Sequence, residues 1–215
     1  MTLQKRSREK IAELIAQDIP DGSYVNLGIG LPTNVAKYLP KDREVFLHSE
    51  NGVLAFGPPP IAGEEDQDLV NAGKELVTLL PGGCFMHHAD SFDIMRGGHL
   101  DICVLGAFQV AMNGDLANWH TGHEDDLPAV GGAMDLAVGA KRIFVYMEHT
   151  TKTGEPKIVN QLSYPITGEQ CVDRIYTDLC VIELKNKQAY VIEIVEGLSF
   201  EKLQALTECP LQDAR

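Results

Sequence analysis

The chain has 215 residues, of which 44% are hydrophobic, and a formal net charge of −13. Its length suits one large α/β domain or two small ones, and the strong negative charge argues against a nucleic-acid or anionic-membrane surface. No apolar run approaches the length of a membrane span, and the first ten residues are polar and lack the apolar core of a signal peptide, so we expect a cytosolic protein.

Hydrophobic periodicity predicts strands that alternate with short helices, without an internal repeat or a linker. The predicted elements are, in chain order, helix 7–19, strand 24–27, helix 34–38, strand 45–48, loop 55–67, strand 76–80, helix 90–96, strand 102–105, a hairpin around Asn113–Gly114, loop 120–128, helix 133–138, strand 143–147, the paired strands 179–184 and 189–194, and helix 200–206. This alternation favours an α/β fold with an open, mixed or mostly parallel sheet flanked by helices, in a single domain over residues 1–215.

Three local features refine these boundaries. Pro81-Gly82-Gly83 predicts the end of strand 76–80, because proline and glycine interrupt a strand. Asp90 is the expected N-cap of helix 90–96, and Gly97-Gly98 is its expected stop. Strand 102–105 is continuously apolar, so we expect it to be covered on both faces of the sheet.

The tetrapeptide Ser49-Glu50-Asn51-Gly52 is the most informative feature of the chain. It follows a strand-like run and ends in Asn-Gly, a strong turn signal. In an open α/β sheet, binding sites form at such strand ends. An ionised Glu50 there can act as a base, a metal ligand or a nucleophile, and a polar turn residue is the alternative interpretation.

Two glycine-rich loops could supply backbone N–H groups to an anion. Gly28-Ile29-Gly30 follows a strand and imitates a dinucleotide-binding motif, but Thr33 stands at the place of the third glycine. Gly131-Gly132 precedes a helix, and its donors would suit an oxyanion formed during acyl transfer. In both loops the alternative is a glycine that only permits a tight turn or close packing.

The histidines and cysteines do not predict a metal site. The segment His120-Thr-Gly-His-Glu-Asp-Asp126 has no recognised ligand spacing, and a solvated polar loop explains it better. His87 and His88 flank the start of helix 90–96, and His99 follows Gly98. The five cysteines contain no CxxC pair, which predicts reduced, mostly buried thiols; they are residues 84, 103, 171, 180 and 209.

Together these motifs resemble the B subunit of family I CoA-transferases over about residues 20–200. The segments that carry the resemblance are NLGIGLPT at 26–33, HSENGVL at 48–54, DLVNAGK at 68–74, MRGGH at 95–99, GDLANW at 114–119 and GGAMD at 131–135. The resemblance implies that Glu50 is the covalent nucleophile, and that Asn51, Gly131 and Gly132 belong to the oxyanion and active-site loop. It also implies CoA thioesters as substrates, no tightly bound cofactor or metal, and an A-subunit partner in an A2B2 heterotetramer with the site near the A/B interface.

Within the family, segments 84–92 and 120–130 are more similar to the enzymes that act on 3-oxoadipate in aromatic catabolism. The expected reaction moves CoA from succinyl-CoA to that acid. The substrate-binding candidates are Gly28, Gly30, His87, His88, Arg96, His99 and His120. Acetoacetate:succinyl-CoA transfer is the alternative on the same scaffold, and a non-catalytic sugar- or phosphate-binding regulator is the alternative of another class.

Overall fold

The structure, a computed structural model, describes residues 4–122 and 130–215. Its strands, numbered in chain order, are β1 Tyr24–Leu27, β2 Phe46–Ser49, β3 Val53–Phe56, β4 Leu79–Phe85, β5 Ile102–Leu105, β6 Gln109–Ala111, β7 Leu116–Ala117, β8 Ile143–Tyr146, β9 Ile158–Val159, β10 Val172–Tyr176, β11 Cys180–Lys185, β12 Gln188–Ile194 and β13 Leu211–Asp213. The helices are α1 Arg8–Gln17, α2 His88–Arg96, α3 Ala133–Gly139 and α4 Phe200–Ala205, and a 3₁₀ helix spans Leu31–Tyr38.

A ten-stranded sheet organises the fold in the order β13-β12-β11-β10-β8-β5-β1-β2-β3-β4. The five central strands from β10 to β2 run parallel, whereas β3 and β4 on one side and β11 and β12 on the other pair antiparallel. The open, mixed sheet flanked by helices is therefore confirmed. The carboxyl ends of the parallel strands meet at one edge of the sheet, where such folds place their sites.

Each face of the central sheet carries its own hydrophobic core. On β5, Ile102 and Val104 pack in one cluster with residues of α1 such as Ile15. Cys103 and Leu105 alternate to the other face and pack in a second cluster that includes Met95 of α2. All four residues of β5 are buried, which confirms the prediction that this strand is covered on both faces.

Residues at their first turns explain where the two amino-terminal helices begin. Ser7 caps α1 by accepting a hydrogen bond from the Lys10 backbone N–H at 3.3 Å, which confirms the predicted helix start. The predicted helix 34–38 is a 3₁₀ helix that begins earlier, at Leu31. Pro32 occupies its first turn, where the missing N–H of proline costs no intrahelical hydrogen bond.

Two predicted boundaries are wrong. Strand β4 passes through Pro81-Gly82-Gly83 instead of ending there, because β4 is the edge strand of the sheet and an edge tolerates proline. Helix α2 begins at His88 rather than near Asp90, since His87 is the N-cap and its Nδ1 accepts from the Ala89 backbone N–H at 3.1 Å.

Some strands of the structure were not predicted from the sequence. Strand β3 begins before the predicted loop 55–67 and takes its first residues, and β9, β10 and β13 were not predicted. The hairpin around Asn113–Gly114 is confirmed as β6 and β7, and β11 and β12 pair as expected. That residues 1–215 form one domain stays a prediction. Across the described residues, no helix is long and apolar enough to cross a membrane.

Candidate active site

A cavity of about 700 Å³ opens at the carboxyl ends of the parallel strands. Its wall contains the residues that follow four neighbouring strands; these are Gly28 after β1, Glu50 after β2, Gly106 after β5 and Met147 after β8. The first turn of α3 and residues 130–132 before it close another side. The pocket therefore lies where the sheet topology favours ligand binding.

Glu50 is carried by the tight turn that joins β2 to antiparallel β3. The Gly52 backbone N–H donates to the Ser49 carbonyl oxygen at 2.9 Å, and Gly52 has a φ of 105° that glycine adopts without strain. A side chain at Gly52 would also collide with the Met86 carbonyl oxygen. These constraints fix the direction in which the half-buried Glu50 side chain leaves the strand.

The electrostatic surroundings of Glu50 favour a carboxylate with a raised pKa. Burial is the main cause, because it disfavours the charged form. The nearby His88 opposes the shift, whereas the negative charge of Asp135 adds to it. Arg96 Nε donates to Asp135 Oδ1 at 2.7 Å, so this ion pair partly neutralises the acid that faces the Glu50 carboxylate.

Gly132 contacts the Glu50 carboxylate directly. A Cβ atom at Gly132 would collide with Glu50 Oε2 and would lie 3.2 Å from its Cδ. The same Cβ would lie 3.4 Å from Cζ of Phe92. Only glycine at this position allows the main chain before α3 to approach the carboxylate this closely.

A buried chain of hydrogen bonds lies beneath the Glu50 turn. Asn26 Nδ2 donates to His48 Nδ1 at 3.1 Å and to the His48 carbonyl oxygen at 3.1 Å. Because an amide nitrogen can only donate, Nδ1 is the acceptor and the proton of the neutral ring sits on Nε2. That N–H then donates to Ser91 Oγ at 2.9 Å, and Ser91 Oγ approaches the Ser49 carbonyl oxygen at 3.4 Å.

The residues of this hydrogen-bond chain are electrically neutral, because burial suppresses the charged forms of those that titrate. Desolvation lowers the pKa of His48 to about 4. The Cys103 thiol, which approaches Asn26 Oδ1 at 3.8 Å, has its pKa raised by burial and further by the charge of Glu50. The peptide before Glu50 is therefore held from below by neutral hydrogen bonds that do not titrate near pH 7.

Three of the predicted loop glycines line the pocket, namely Gly28, Gly131 and Gly132. The Gly28 backbone N–H donates to the Val104 carbonyl oxygen at 2.8 Å. This N–H is therefore used within the sheet and is not offered to an anion, contrary to the expectation for this loop. Gly30 lies outside the pocket wall and precedes the 3₁₀ helix. Asn51 also lies outside, because its Nδ2 donates to the Val70 carbonyl oxygen at 2.8 Å.

The predicted basic candidates do not line the pocket. His87 caps α2, Arg96 pairs with Asp135, and the His99 ring lies against Gly97 at the end of α2. His120 Nδ1 accepts from the Gly122 backbone N–H at 2.8 Å. His88 stacks on Phe92 with ring centroids 4.8 Å apart and influences Glu50 only through its charge.

Residues 120–126 were predicted to be a solvated polar loop rather than a metal site, and residues 123–126 of that segment lie outside the described part of the chain. Among residues 4–122 and 130–215, no three His, Cys, Asp or Glu side chains are grouped to hold a metal ion. All five cysteines are free thiols, as expected, although Cys84 is exposed.

Sequence reasoning missed the end of the pocket beyond β8. Glu148, Lys157 and Tyr164 line it. Lys157 follows a Gly-Glu-Pro turn without any periodic signal, and only the tertiary fold brings it to the pocket. Burial lowers the pKa of the Lys157 ammonium group.

Comparison with known proteins identifies the family of the chain. A family model described as Coenzyme A transferase matches residues 8–205. The B subunit of the 3-oxoadipate CoA-transferase of Acinetobacter baylyi is 70% identical over 100% of this chain and 99% of its own length. The B subunit of the succinyl-CoA:3-ketoacid coenzyme A transferase of Helicobacter pylori is 45% identical over 95% of this chain and 98% of its own.

Solved structures share the fold at low identity. An acyl-CoA transferase apoenzyme from Escherichia coli O157:H7 superimposes with a TM-score of 0.75 at 18% identity, covering 100% of this chain and 43% of that one. With a family model that covers most of the sequence and full-length relatives well above 30% identity, the chain belongs to the coenzyme A transferase family.

Proposed function

We propose that this chain is the B subunit of a CoA-transferase that moves CoA from succinyl-CoA to a 3-oxo acid, with 3-oxoadipate as the preferred acceptor. The observation that carries the proposal is the Glu50 carboxylate, held on a rigid turn inside the pocket and in contact with Gly132. The relative from Acinetobacter baylyi, named for 3-oxoadipate, supports the choice of acceptor.

Glu50 acts as the nucleophile in a ping-pong reaction. Its carboxylate attacks the thioester carbonyl of succinyl-CoA, and the C–S bond breaks to give an acyl-glutamyl anhydride and CoA thiolate. The thiolate then attacks the glutamyl carbonyl, which releases succinate and leaves a glutamyl-CoA thioester. The carboxylate of the 3-oxo acid attacks this thioester, and the same steps in reverse release the new acyl-CoA and restore Glu50.

The environment of Glu50 suits this role. Burial raises its pKa and removes water from the carboxylate, which makes the ionised form more reactive toward a carbonyl carbon. Each tetrahedral intermediate requires donors for its oxyanion, and we assign this role to backbone N–H groups at Gly131 and Gly132. Water must be kept from the anhydride and the thioester, since both hydrolyse.

An A-subunit partner completes the proposed enzyme, in an A2B2 heterotetramer. The relatives are named as B subunits, which supports this assignment. Large apolar side chains are exposed on elements that contribute to the pocket wall: Ile29 of the wall is 65% exposed, and Val138 of α3 is 77% exposed. A partner that covers this surface would bury the apolar area and shield the site from solvent. The proposed enzyme works in the cytoplasm and needs no tightly bound cofactor.

Acetoacetate is the second candidate acceptor, because it is a simpler 3-oxo acid and the Helicobacter pylori relative is named for 3-ketoacids in general. A non-catalytic regulator of another class would have no use for a desolvated carboxylate at this turn. One experiment separates these functions. The co-expressed A and B chains are incubated with an acyl-CoA alone, and the mass of the B chain is measured.

The expected result is CoA attached to Glu50, and loss of both the adduct and turnover in Glu50→Ala with the fold retained. Turnover in Glu50→Ala would refute the mechanism. The ratio of kcat/KM for 3-oxoadipate over acetoacetate then decides the acceptor, because a site built to pair a second charge discriminates strongly against the analogue that lacks it. A ratio near or below unity would assign acetoacetate.

A further inference from the structure

Lys157 lines the same pocket as Glu50. Its backbone is fixed on both sides, because its N–H donates to the His149 carbonyl oxygen at 3.3 Å and its own carbonyl oxygen accepts from the Val110 N–H at 3.0 Å. Among the described residues of the pocket wall, the cationic side chains are Lys152 and Lys157. Lys152 is exposed whereas Lys157 is half-buried, so Lys157 supplies the cation inside the cavity.

The ammonium group of Lys157 is available to a ligand. Within the described part of the chain, no side chain forms an ion pair or hydrogen bond with its Nζ. The nearest acid of the pocket wall, Glu148, is engaged by Arg8, whose Nη2 donates to Glu148 Oε1 at 3.0 Å. The charges of Glu148 and Asp178 act favourably on the ammonium group, but burial outweighs them and lowers its pKa. An anion placed beside Nζ would therefore stabilise the charged form.

Lys157 and Glu50 lie on separate parts of the pocket wall. The Lys157 N–H is bonded to His149, in the chain that follows β8, and β8 lies three strand positions from β2, which carries Glu50. At about 4.8 Å per position, these two strands are roughly 14 Å apart. An acyl group that reacts at Glu50 can therefore extend its far end along the pocket toward Lys157.

We propose that Lys157 binds the terminal carboxylate of the acyl group, both in the succinyl donor and in a dicarboxylic 3-oxo acid acceptor. The proposal rests on the function proposed above, in which the acyl carbon reacts at Glu50. In this role Lys157 is a specificity-determining residue for dicarboxylic substrates. The phosphates of CoA are the other source of negative charge, and a contact with them would affect every acceptor alike, because all acceptors share the same CoA.

The test uses the co-expressed A and B chains with Lys157→Met, which keeps the length of the side chain and removes the charge. Acetoacetyl-CoA serves as the donor, since it carries no terminal carboxylate. For 3-oxoadipate we expect kcat/KM to fall on the order of 100-fold, as on loss of one partner of a desolvated charge pair. With acetoacetate as the acceptor, the donor acetoacetyl-CoA is isotope-labelled so that exchange can be followed, and we expect kcat/KM to change less than about 3-fold. Lys157→Arg should recover most of the 3-oxoadipate activity.

The matched control is Lys41→Met, which removes the same charge from an exposed loop before β2, at the opposite edge of the sheet. It should leave both acceptors unaffected. An equal loss for both acceptors in Lys157→Met overturns the proposal. A loss that disappears when dephospho-CoA thioesters replace CoA thioesters also overturns it and assigns Lys157 to a phosphate.

The mass of the B chain and the activities with the two acceptors together show which of the two proposals fails. If the wild-type complex forms no CoA adduct on Glu50 from acetoacetyl-CoA, the proposed function fails. If the adduct forms in both the wild type and Lys157→Met, but 3-oxoadipate and acetoacetate are affected alike, the transferase mechanism stands and only the role of Lys157 is refuted.

Discussion

Replacing Gly132 by alanine should disable the enzyme without unfolding it. The backbone φ of Gly132 is −84°, which alanine adopts without strain, so the main chain accepts the substitution. The new methyl group, however, would collide with Glu50 Oε2. The carboxylate is the end of a flexible side chain and moves aside by about 1 Å to restore an ordinary contact of roughly 3.5 Å.

The magnitude follows from these contacts. A misplacement of about 1 Å in a reacting group can lower the rate roughly 100-fold, equivalent to about 2.7 kcal/mol of transition-state free energy. The unfolding free energy should fall by about 1 kcal/mol, because glycine is a better helix N-cap than alanine. For a chain of this size, that corresponds to a Tm shift of only a few degrees, about 2–4 °C.

The assay measures the rate of CoA adduct formation on Glu50 and kcat with saturating substrates, alongside Tm. A Gly132→Ala enzyme with wild-type kcat would show that the close approach of Gly132 to the carboxylate does not position the nucleophile. Loss of the fold instead would show that the methyl group is not accommodated by movement of Glu50. Gly131→Ala provides a contrast. Its φ of 51° strains alanine, whereas no atom lies within 4 Å of the added Cβ. This variant should therefore lower Tm and leave the position of the Glu50 carboxylate unchanged.

Three further outcomes are expected. Glu50→Asp should keep the fold and lose roughly 100-fold in kcat, since the shorter side chain withdraws the carboxylate by about 1 Å, and an adduct formed at the wild-type rate would contradict this. Ser91→Ala should lower the free energy of unfolding by about 1–3 kcal/mol, measured by urea denaturation, because it leaves the buried N–H of His48 without an acceptor, and an unchanged value would mean that the buried chain is dispensable. Burial lowers the pKa of His149 to about 4, so the unfolded chain binds more protons between pH 6.5 and 4 and stability falls as the pH drops. This group should account for roughly 2 kcal/mol between pH 7 and pH 5, and a His149→Gln variant with an equally steep pH dependence would refute that assignment.

The features that sequence reasoning predicted are those encoded within a few neighbouring residues. The turn at Glu50 was predicted because a strand-like run meets Asn-Gly, and β5 because four consecutive apolar residues require cover on both faces. Strand β10 was missed because Asp173 and Arg174 interrupt its apolar pattern. In the fold, Asp173 accepts from the Ile143 backbone N–H at 2.7 Å, and Arg174 pairs with Asp18 and Glu183.

The candidate site was predictable only in part, for the same reason. Glu50 and the glycines of the pocket stand in recognisable local motifs, whereas the chain from Cys103 through Asn26 and His48 to Ser91 joins four separate elements. Its members are as far as 77 positions apart, so no local pattern reveals it. Lys157 was missed likewise, because its place in the pocket is set by contacts with β6 and with the end of β8.

The route of β4 through Pro81 matters for a chain that must meet a partner after synthesis. An uncovered sheet edge offers a row of donors and acceptors to any passing strand and is a common origin of aggregation. Proline removes one of those donors from this free edge, and the two glycines beside it weaken the edge as a template for another strand. This edge is therefore a poor template for strand addition, so two copies of the subunit have little tendency to join edge to edge before the partner arrives.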